Sequence, residues 1–270
     1  MRRLWIHLLL MVASVFAQYL VLWVVKLALS PGQSFDASPL PWPDGATLDN
    51  FAAVAAAPHF WQQVRNSLVV SLATATIGVL LACTAAYAFA RFDFPGKRAA
   101  LGTLIATQLF PGVVMMIPLY IILDHVGLLD SHLGLVLVYS TTAIPFATWM
   151  LKGYFETLPK DLEEAALIDG ASRWTLFWRV VLPLSRPALA VTFLFSFMTA
   201  WNEYILAATF LARPEQYTLP VVLQQYVGEY GTEWGKFAAG SLMTASVVMA
   251  LFFALQKQLV GGLTAGSVKG

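Results

Sequence analysis

LKGYFETLPKDLEEAALIDGASRWTLFWRVVLPLSRPAL, residues 151–189, is a charged interval between two long apolar runs. Pro159 suits the start of a helix, and the acidic residues that follow it lie at the positive end of the helix dipole, where they are stabilising. Gly170 is the residue type that most readily adopts the left-handed conformation after a helix, and Ser172 can cap the next helix. Because the residue before a proline disfavours helix, the second helix is expected to stop before Pro183. The interval therefore predicts a helix, a tight turn and a second helix.

The two predicted helices have different apolar surfaces. The first surface is small and consists of Leu162, Ala165, Ala166, Ile168 and Ala171, and the second is bulky and consists of Trp174, Phe177, Trp178, Val181 and Leu182. Alanine permits close approach, so a helix with a small apolar face and acidic flanks suits insertion into a groove of another protein. A bulky aromatic face is typical of the membrane boundary. An amphipathic loop helix that rests on lipid is the alternative.

The chain as a whole has the composition of a membrane protein. It is 59% hydrophobic and 11% charged, with a mean hydropathy of +0.70, whereas about a quarter of the residues of a soluble domain are charged. About 20 apolar residues in a helix cross a hydrocarbon core of about 30 Å. Six runs are expected to do so: Leu4–Val25, Leu68–Ala90, Ala99–Leu123, Leu133–Leu151, Leu189–Leu211 and Phe237–Leu255. The sequence predicts an all-α membrane protein with six transmembrane helices.

The basic residues predict the orientation of these spans. Arg2 and Arg3 precede the first run, as in a secretory signal, but the run is too long for a signal core and lacks a small-residue cleavage site, so we expect a retained helix. With the N-terminus inside, twelve of the sixteen Lys and Arg residues are cytoplasmic, in agreement with the positive-inside rule. Both termini are then cytoplasmic, and the Pro-rich segment 30–64 is an external loop.

Several residue patterns exclude other functions. No Gly-Lys-Ser or Gly-Lys-Thr phosphate loop is present, since Gly96-Lys97 precedes Arg98 and Gly235-Lys236 precedes Phe237. The four histidines lack metal-ligand spacing, the single cysteine has no partner for a disulfide, and a net charge of +1 does not favour nucleic-acid binding. We therefore expect no enzymatic activity, metal or cofactor in this chain.

A resemblance to a family rests on the spacing within the charged interval. Glu164-Ala165-Ala166, three residues, Gly170, nine residues, Val180, one residue and Leu182-Pro183 resembles the EAA loop of ABC importer membrane subunits, with Val in place of the usual Ile. The wider interval is similar to the carbohydrate branch of that family. AYAFARFDFPGK, residues 86–97, and GLTAGSVKG, residues 262–270, resemble permeases of the MalG type, which serve maltose and maltodextrin. The likeness covers residues 66–270.

The resemblance implies the fold, partners and site residues of a type I ABC importer permease bundle with a cytoplasmic coupling helix. It implies a first helix and external loop at residues 1–64, a permease core at 65–257 with its EAA loop at 156–183, and a cytoplasmic tail at 258–270. The partners would be a second permease of the MalF type, a MalK-type ATPase dimer that binds ATP and Mg, an external solute-binding protein, a sugar and membrane lipid. The location implied is the cytoplasmic (inner) membrane of a bacterium or archaeon. The ATPase-coupling residues would be Glu163, Glu164, Ala165, Ala166, Asp169, Gly170, Leu182 and Pro183, with tail contacts at Thr264, Ala265, Gly266, Ser267 and Lys269.

The fifth run contains a second candidate site, Trp201-Asn202-Glu203-Tyr204. An ionisable residue within a membrane is costly and indicates function, so Glu203 and Asn202 are expected to line a path for a hydroxyl-rich solute, with Trp201 or Tyr204 against a sugar ring. A structural clasp to a neighbouring helix is the alternative for Glu203. An ion-coupled secondary transporter with its site at Glu203 is the alternative function, and trehalose or another oligosaccharide is the alternative substrate. Before the last span, Gln224, Gln225, Tyr226, Glu229, Tyr230 and Trp234 form either an interfacial aromatic belt or a docking surface for a binding protein.

Overall fold

A computed structural model describes residues 2–228 and 231–265, and these are predominantly helical. The helices of the first half are α1 (Arg2–Leu29), α2 (Asp49–Ala55), α3 (Phe60–Arg91), α4 (Lys97–Leu109), α5 (Gly112–His125) and α6 (His132–Thr157). The helices of the second half are α7 (Lys160–Ile168), α8 (Arg173–Leu176), α9 (Leu182–Leu184), α10 (Arg186–Trp201), α11 (Ile205–Phe210), α12 (Leu219–Gln225) and α13 (Trp234–Ala265). A π-helical turn, Phe177–Val181, joins α8 to α9, and Pro214–Gln216 form a 3₁₀ turn. Strands β1 (Val227–Gly228) and β2 (Gly231–Thr232) pair antiparallel.

The membrane spans differ in regularity. Within the described residues, α1, α3, α6 and α13 are each long and apolar enough to cross a membrane, and the number of spans rises to six when each of two bent pairs counts as one. The third expected span is not a continuous helix, because α4 and α5 meet at 102°. Phe110, at the break, is extended with ψ of 123°, as expected of a residue that precedes a proline. The bend at Pro111 thus has a local steric cause.

The second helix of the charged interval runs past the expected stop at Pro183. Helix α9 contains Pro183, and the break comes at Ser185, where the segment Arg173–Leu184 meets α10 at 77°. Proline has no N–H to donate, and its ring presses on the carbonyl one turn earlier. The π turn immediately before α9, closed by Leu182 N–H to Phe177 O, widens the helix and accommodates the ring. The expectation of a helix end before Pro183 was therefore wrong.

The fifth expected span, Leu189–Leu211, is also interrupted. Helix α10 ends at Trp201, residues 202–204 are non-helical, and α11 begins at Ile205. Neither proline nor glycine is present at this break. Its cause is a side chain, described below.

The chain divides into two compact units. The first consists of residues 1–65 and 218–248, and a buried lysine organises it. Lys26 lies in the last turn of α1. Its ammonium contacts Ser38 Oγ at 2.6 Å and the Asp36 carboxylate at 2.7 Å. The salt bridge to Lys26 and the Ser38 N–H bond hold the pKa of Asp36 below its usual range. These contacts fix the segment after α1 against the helix end.

The second unit, residues 66–217 and 249–270, has the larger core. Side chains of α3, α6 and the α8–π segment build it, namely Val79, Ala82, Cys83, Ala86, Tyr87, Ala147, Leu151, Phe155, Leu176, Phe177 and Val181. The loop between α5 and α6 is tied by Asp130 to Arg213 and to the Ala212 N–H. Burial raises the pKa of Asp130, but the bonds from Ala212 and Arg213 outweigh burial and hold it below its ordinary value.

Candidate functional site

The turn after α7 is a Schellman motif. The Gly170 N–H donates to Leu167 O and the Ala171 N–H to Ala166 O, each at 3.0 Å, and Gly170 has φ of +85°, the left-handed conformation that this motif requires. The Ser172 hydroxyl accepts from the Thr175 N–H at 3.1 Å and caps α8. Local sequence signals thus hold α7 and α8 at a defined corner.

Glu163 faces the protein. Its carboxylate accepts from Arg91 Nε at 2.6 Å and from the Tyr87 hydroxyl at 3.0 Å. The Arg91 guanidinium also donates to Leu158 O at 3.1 Å. The side chains of Arg91 and Glu163 are only 7% and 12% exposed. Helix α7 is therefore bonded to the end of α3, which is distant in sequence.

The opposite face of α7 is open. Glu164, Ala165 and Asp169 are exposed, and Ile168 is 85% exposed. Leu162 and Leu167 are exposed as well. We call Leu162, Glu164, Ala165 and Ile168 the outward face of α7. An apolar, acid-flanked surface of this kind is typical of a protein interaction site.

The candidate coupling residues therefore separate into two groups. Glu164, Ala165, Asp169, Gly170 and Pro183 are exposed, whereas Glu163, Ala166 and Leu182 are partly buried, and Ala166 and Leu182 pack against the core of the second unit. Sequence reasoning did not single out Arg91 or Tyr87 as site residues. Both lie within AYAFARFDFPGK, residues 86–97, the string that resembles permeases of the MalG type. That resemblance is the sequence feature that could have indicated their role.

The carboxylate of Glu203 has three donors. The Tyr139 hydroxyl of α6 donates at 2.8 Å, and the N–H groups of Leu206 and Ala207 donate at 2.9 and 3.0 Å. Glu203 thus caps the start of α11 and binds it to α6, because a carboxylate satisfies N–H groups that have no partner within the helix. This bonding interrupts the fifth run, and it has the geometry of the clasp alternative.

The neighbours of Glu203 differ in accessibility. Trp201 is 1% exposed and stacks on Phe197 with ring centroids 5.3 Å apart, so neither ring face is open to a solute in this conformation. Asn202 and Tyr204 are exposed. The Asn202 side chain donates to Met198 O at 2.9 Å. Two of the four candidate path residues are therefore available at the surface.

Two cavities share Thr142 and Leu206 in their linings. The smaller, about 50 Å³, is lined by Glu203, Tyr139, Thr74 and Ser196 among others, and its volume suits one or two waters rather than a sugar. The larger, about 460 Å³, lies at the α4–α5 bend and is lined by Thr107, Phe110, Gly112, Met115, Leu119, Val138, Thr141, Thr142 and Leu206. Pockets for small ligands have volumes of about 300–1,000 Å³. Of these two cavities, the larger has ligand size, and we call it the threonine-lined cavity after Thr107, Thr141 and Thr142.

The remaining candidate residues lie at the ends of the described segments. Thr264 and Ala265 belong to the last turn of α13, and Gly266, Ser267 and Lys269 lie outside the described residues. Before the last span, Glu229 and Tyr230 are also outside them. Trp234 packs edge-on against Phe35 at 5.1 Å. Among residues 2–228 and 231–265, no group of three His, Cys, Asp or Glu side chains is placed to hold a metal.

These features define a class of protein. Broken membrane helices, a cavity of ligand size at one break and a rigid polar corner with an open apolar face are typical of the membrane subunit of a transport assembly. The profile of the family described as "Binding-protein-dependent transport system inner membrane component" matches residues 74–262. The chain belongs to this family of ABC importer permeases and is a multi-pass inner-membrane protein.

Similar proteins are named as permeases for different sugars. The chain is 35% identical over 269 residues to the diacetylchitobiose uptake permease DasC of Streptomyces coelicolor, covering 99% of this chain and 98% of DasC. It is 37% identical to the maltose/maltodextrin permease MalG of Yersinia pestis (100% and 94% covered). It is 35% identical to the trehalose permease SugB of Mycobacterium tuberculosis (93% and 92% covered). A bacterial importer of the polysaccharide alginate has the same fold, with a TM-score of 0.78 at 23% identity over 93% of this chain and 94% of that one.

Proposed function

We propose that this chain is the permease subunit of an ATP-driven, binding-protein-dependent oligosaccharide importer, and that α7 is its coupling helix. The observation that carries the proposal is the two-sided character of α7. Its inner side is bonded to Arg91 and Tyr87, and its outward face exposes Ile168. A short helix held firmly on one side and open on the other suits the groove of a partner protein.

The partners follow from this assignment. A second permease completes the translocation pathway, an ATPase dimer receives α7 and binds ATP and Mg, and an external protein delivers the solute. Both termini are cytoplasmic, so the tail at Thr264–Gly270 is on the same side of the membrane as α7 and contacts the ATPases. In this arrangement the outward face of α7 and residues Asp169, Gly170 and Pro183 make the ATPase contact, while Ala166 and Leu182 support it from within.

The solute is an oligosaccharide. The relatives described above are named for diacetylchitobiose, maltose/maltodextrin and trehalose. The EAA-loop and tail resemblances favour maltose and maltodextrin, with trehalose or another oligosaccharide as the alternative. Exposed Asn202 and Tyr204 and the threonine-lined cavity form this chain's wall of the pathway. A secondary transporter with an ion site at Glu203 is disfavoured, because three donors already occupy that carboxylate.

The test is Gly170→Leu in the purified complex of this chain with its partners. A leucine at φ of +85° is strained by about 1–2 kcal/mol and adds bulk to the partner-facing corner. We expect solute-loaded binding protein to stimulate ATP hydrolysis by the parent complex and to lose this effect in the variant.

Gly153→Leu is the matched control, since Gly153 lies in α6 without positive φ and an added Cβ meets nothing within 4 Å. Equal stimulation in all three complexes would exclude α7 as the coupling helix. Uptake of labelled maltotriose and trehalose by the reconstituted parent complex distinguishes the two candidate solutes.

A further inference from the structure

Glu163 and Glu164 are adjacent in sequence but have opposite environments. Glu163 is bonded inward to Arg91 and Tyr87, whereas Glu164 is exposed. We propose that Arg91, Tyr87 and Glu163 form a latch that transmits displacement of α7 to α3, and that Arg91 is a positioning residue for coupling. This inference rests on the proposed role of α7 and adds a transmission route that the motif residues do not supply.

The latch is strong because it is shielded. Charged hydrogen bonds are shorter and stronger than neutral ones, and their strength rises where water is excluded. Arg91 and Glu163 are almost buried, and Arg91 is held in place by Leu158 O. The Tyr87 ring is itself fixed in the core against Phe177, with centroids 5.1 Å apart. None of the three groups can move independently of the others.

Helix α7 needs such a connection. It has nine residues, and isolated helices shorter than about 12–15 residues are marginal in water. The only inward-facing apolar residue of α7 that packs on the core is Ala166, among the described contacts, and a methyl group gives little resistance to sliding. The ion pair therefore supplies the rigid tie between α7 and α3, a helix of 32 residues.

The test uses charge reversal in the assembled complex. Arg91→Gln removes the ion pair, and we expect stimulation by loaded binding protein to fall several-fold while the ATPase subunits remain bound, because Arg91 is not on the outward face. The double variant Arg91→Glu with Glu163→Arg restores opposite charges, and we expect it to recover part of the stimulation. The thermal unfolding temperature of each variant complex is measured alongside, because a residue that merely stabilises the fold would lower this temperature together with the stimulation, whereas loss of the latch alone lowers only the stimulation.

Lys152→Gln is the matched control. It removes the 2.7 Å ion pair to Glu156, which joins two residues of the same helix, and should leave stimulation unchanged. Full stimulation in Arg91→Gln, or no recovery in the double variant, overturns the latch. If Gly170→Leu loses stimulation while Arg91→Gln keeps it, α7 couples without the latch. If neither variant loses stimulation, both the latch and the proposed role of α7 are wrong.

Discussion

The carboxylate of Glu203 accepts three hydrogen bonds from other residues of this chain. Two of these donors are backbone N–H groups of α11, and the third is the hydroxyl of buried Tyr139. Burial of a polar group is costly unless it is hydrogen-bonded. Removal of the carboxylate would leave all three donors without their partner.

We therefore expect Glu203→Ala to lower the free energy of unfolding by about 1–3 kcal/mol, the range for a lost cap and an unsatisfied buried hydroxyl. Thermal unfolding of the purified transporter in nanodiscs measures this. Asn202→Ala is the neighbouring control, because Asn202 is exposed and its side chain donates to Met198 O, four residues earlier in the chain. Shifts of equal size for the two variants would contradict the clasp.

Around Glu163 and Glu164, the sequence predicts the local structure of α7 but not its long-range contacts. The acidic start of α7, the Gly170 turn and the Ser172 cap were correctly predicted, because their partners lie within a few residues. The inward orientation of Glu163 was not predicted, since Arg91 lies 72 positions away.

At the scale of elements, breaks with a backbone cause were easier to anticipate than breaks with a side-chain cause. The 102° bend in the third span lies at Pro111 and Gly112, two residue types that are visible in the sequence and favour a break in a helix. The interruption after Trp201 has no proline or glycine to indicate it. It depends on the Glu203 carboxylate, which accepts hydrogen bonds from backbone N–H groups in place of helix carbonyls. A hydropathy profile does not detect this kind of bonding.

The outward face of α7 gives an element-scale prediction. Burial of an isoleucine side chain contributes about 1.5–3 kcal/mol, so Ile168→Asp should weaken retention of the ATPase subunits about tenfold or more. Co-purification at graded ATPase concentration measures it. Leu48→Asp is the control, as Leu48 is also highly exposed but lies in the predicted external loop. If both variants retain the ATPase equally, the outward face is not the contact.

At the scale of the whole molecule, hydropathy predicts the number of spans, and the basic residues predict their orientation. The orientation is open to a direct test, because Cys83 is the only cysteine and is buried. In a Cys83→Ser background, we expect Leu40→Cys to react with a membrane-impermeant maleimide in intact cells. Lys160→Cys should react only after the membrane is opened. Labelling of Lys160→Cys from outside would invert the proposed topology.

The exposed isoleucine of α7 also bears on how the cell manages this protein. At 85% exposure, Ile168 is unprotected while the chain is alone, and surfaces of this kind promote aggregation. A surplus of this subunit over its ATPase would thus be recognisable to chaperones and proteases by the same residue to which we assign the ATPase contact. Balanced synthesis of the subunits is then a condition for recovering the protein intact, and co-expression is the natural route to purify it.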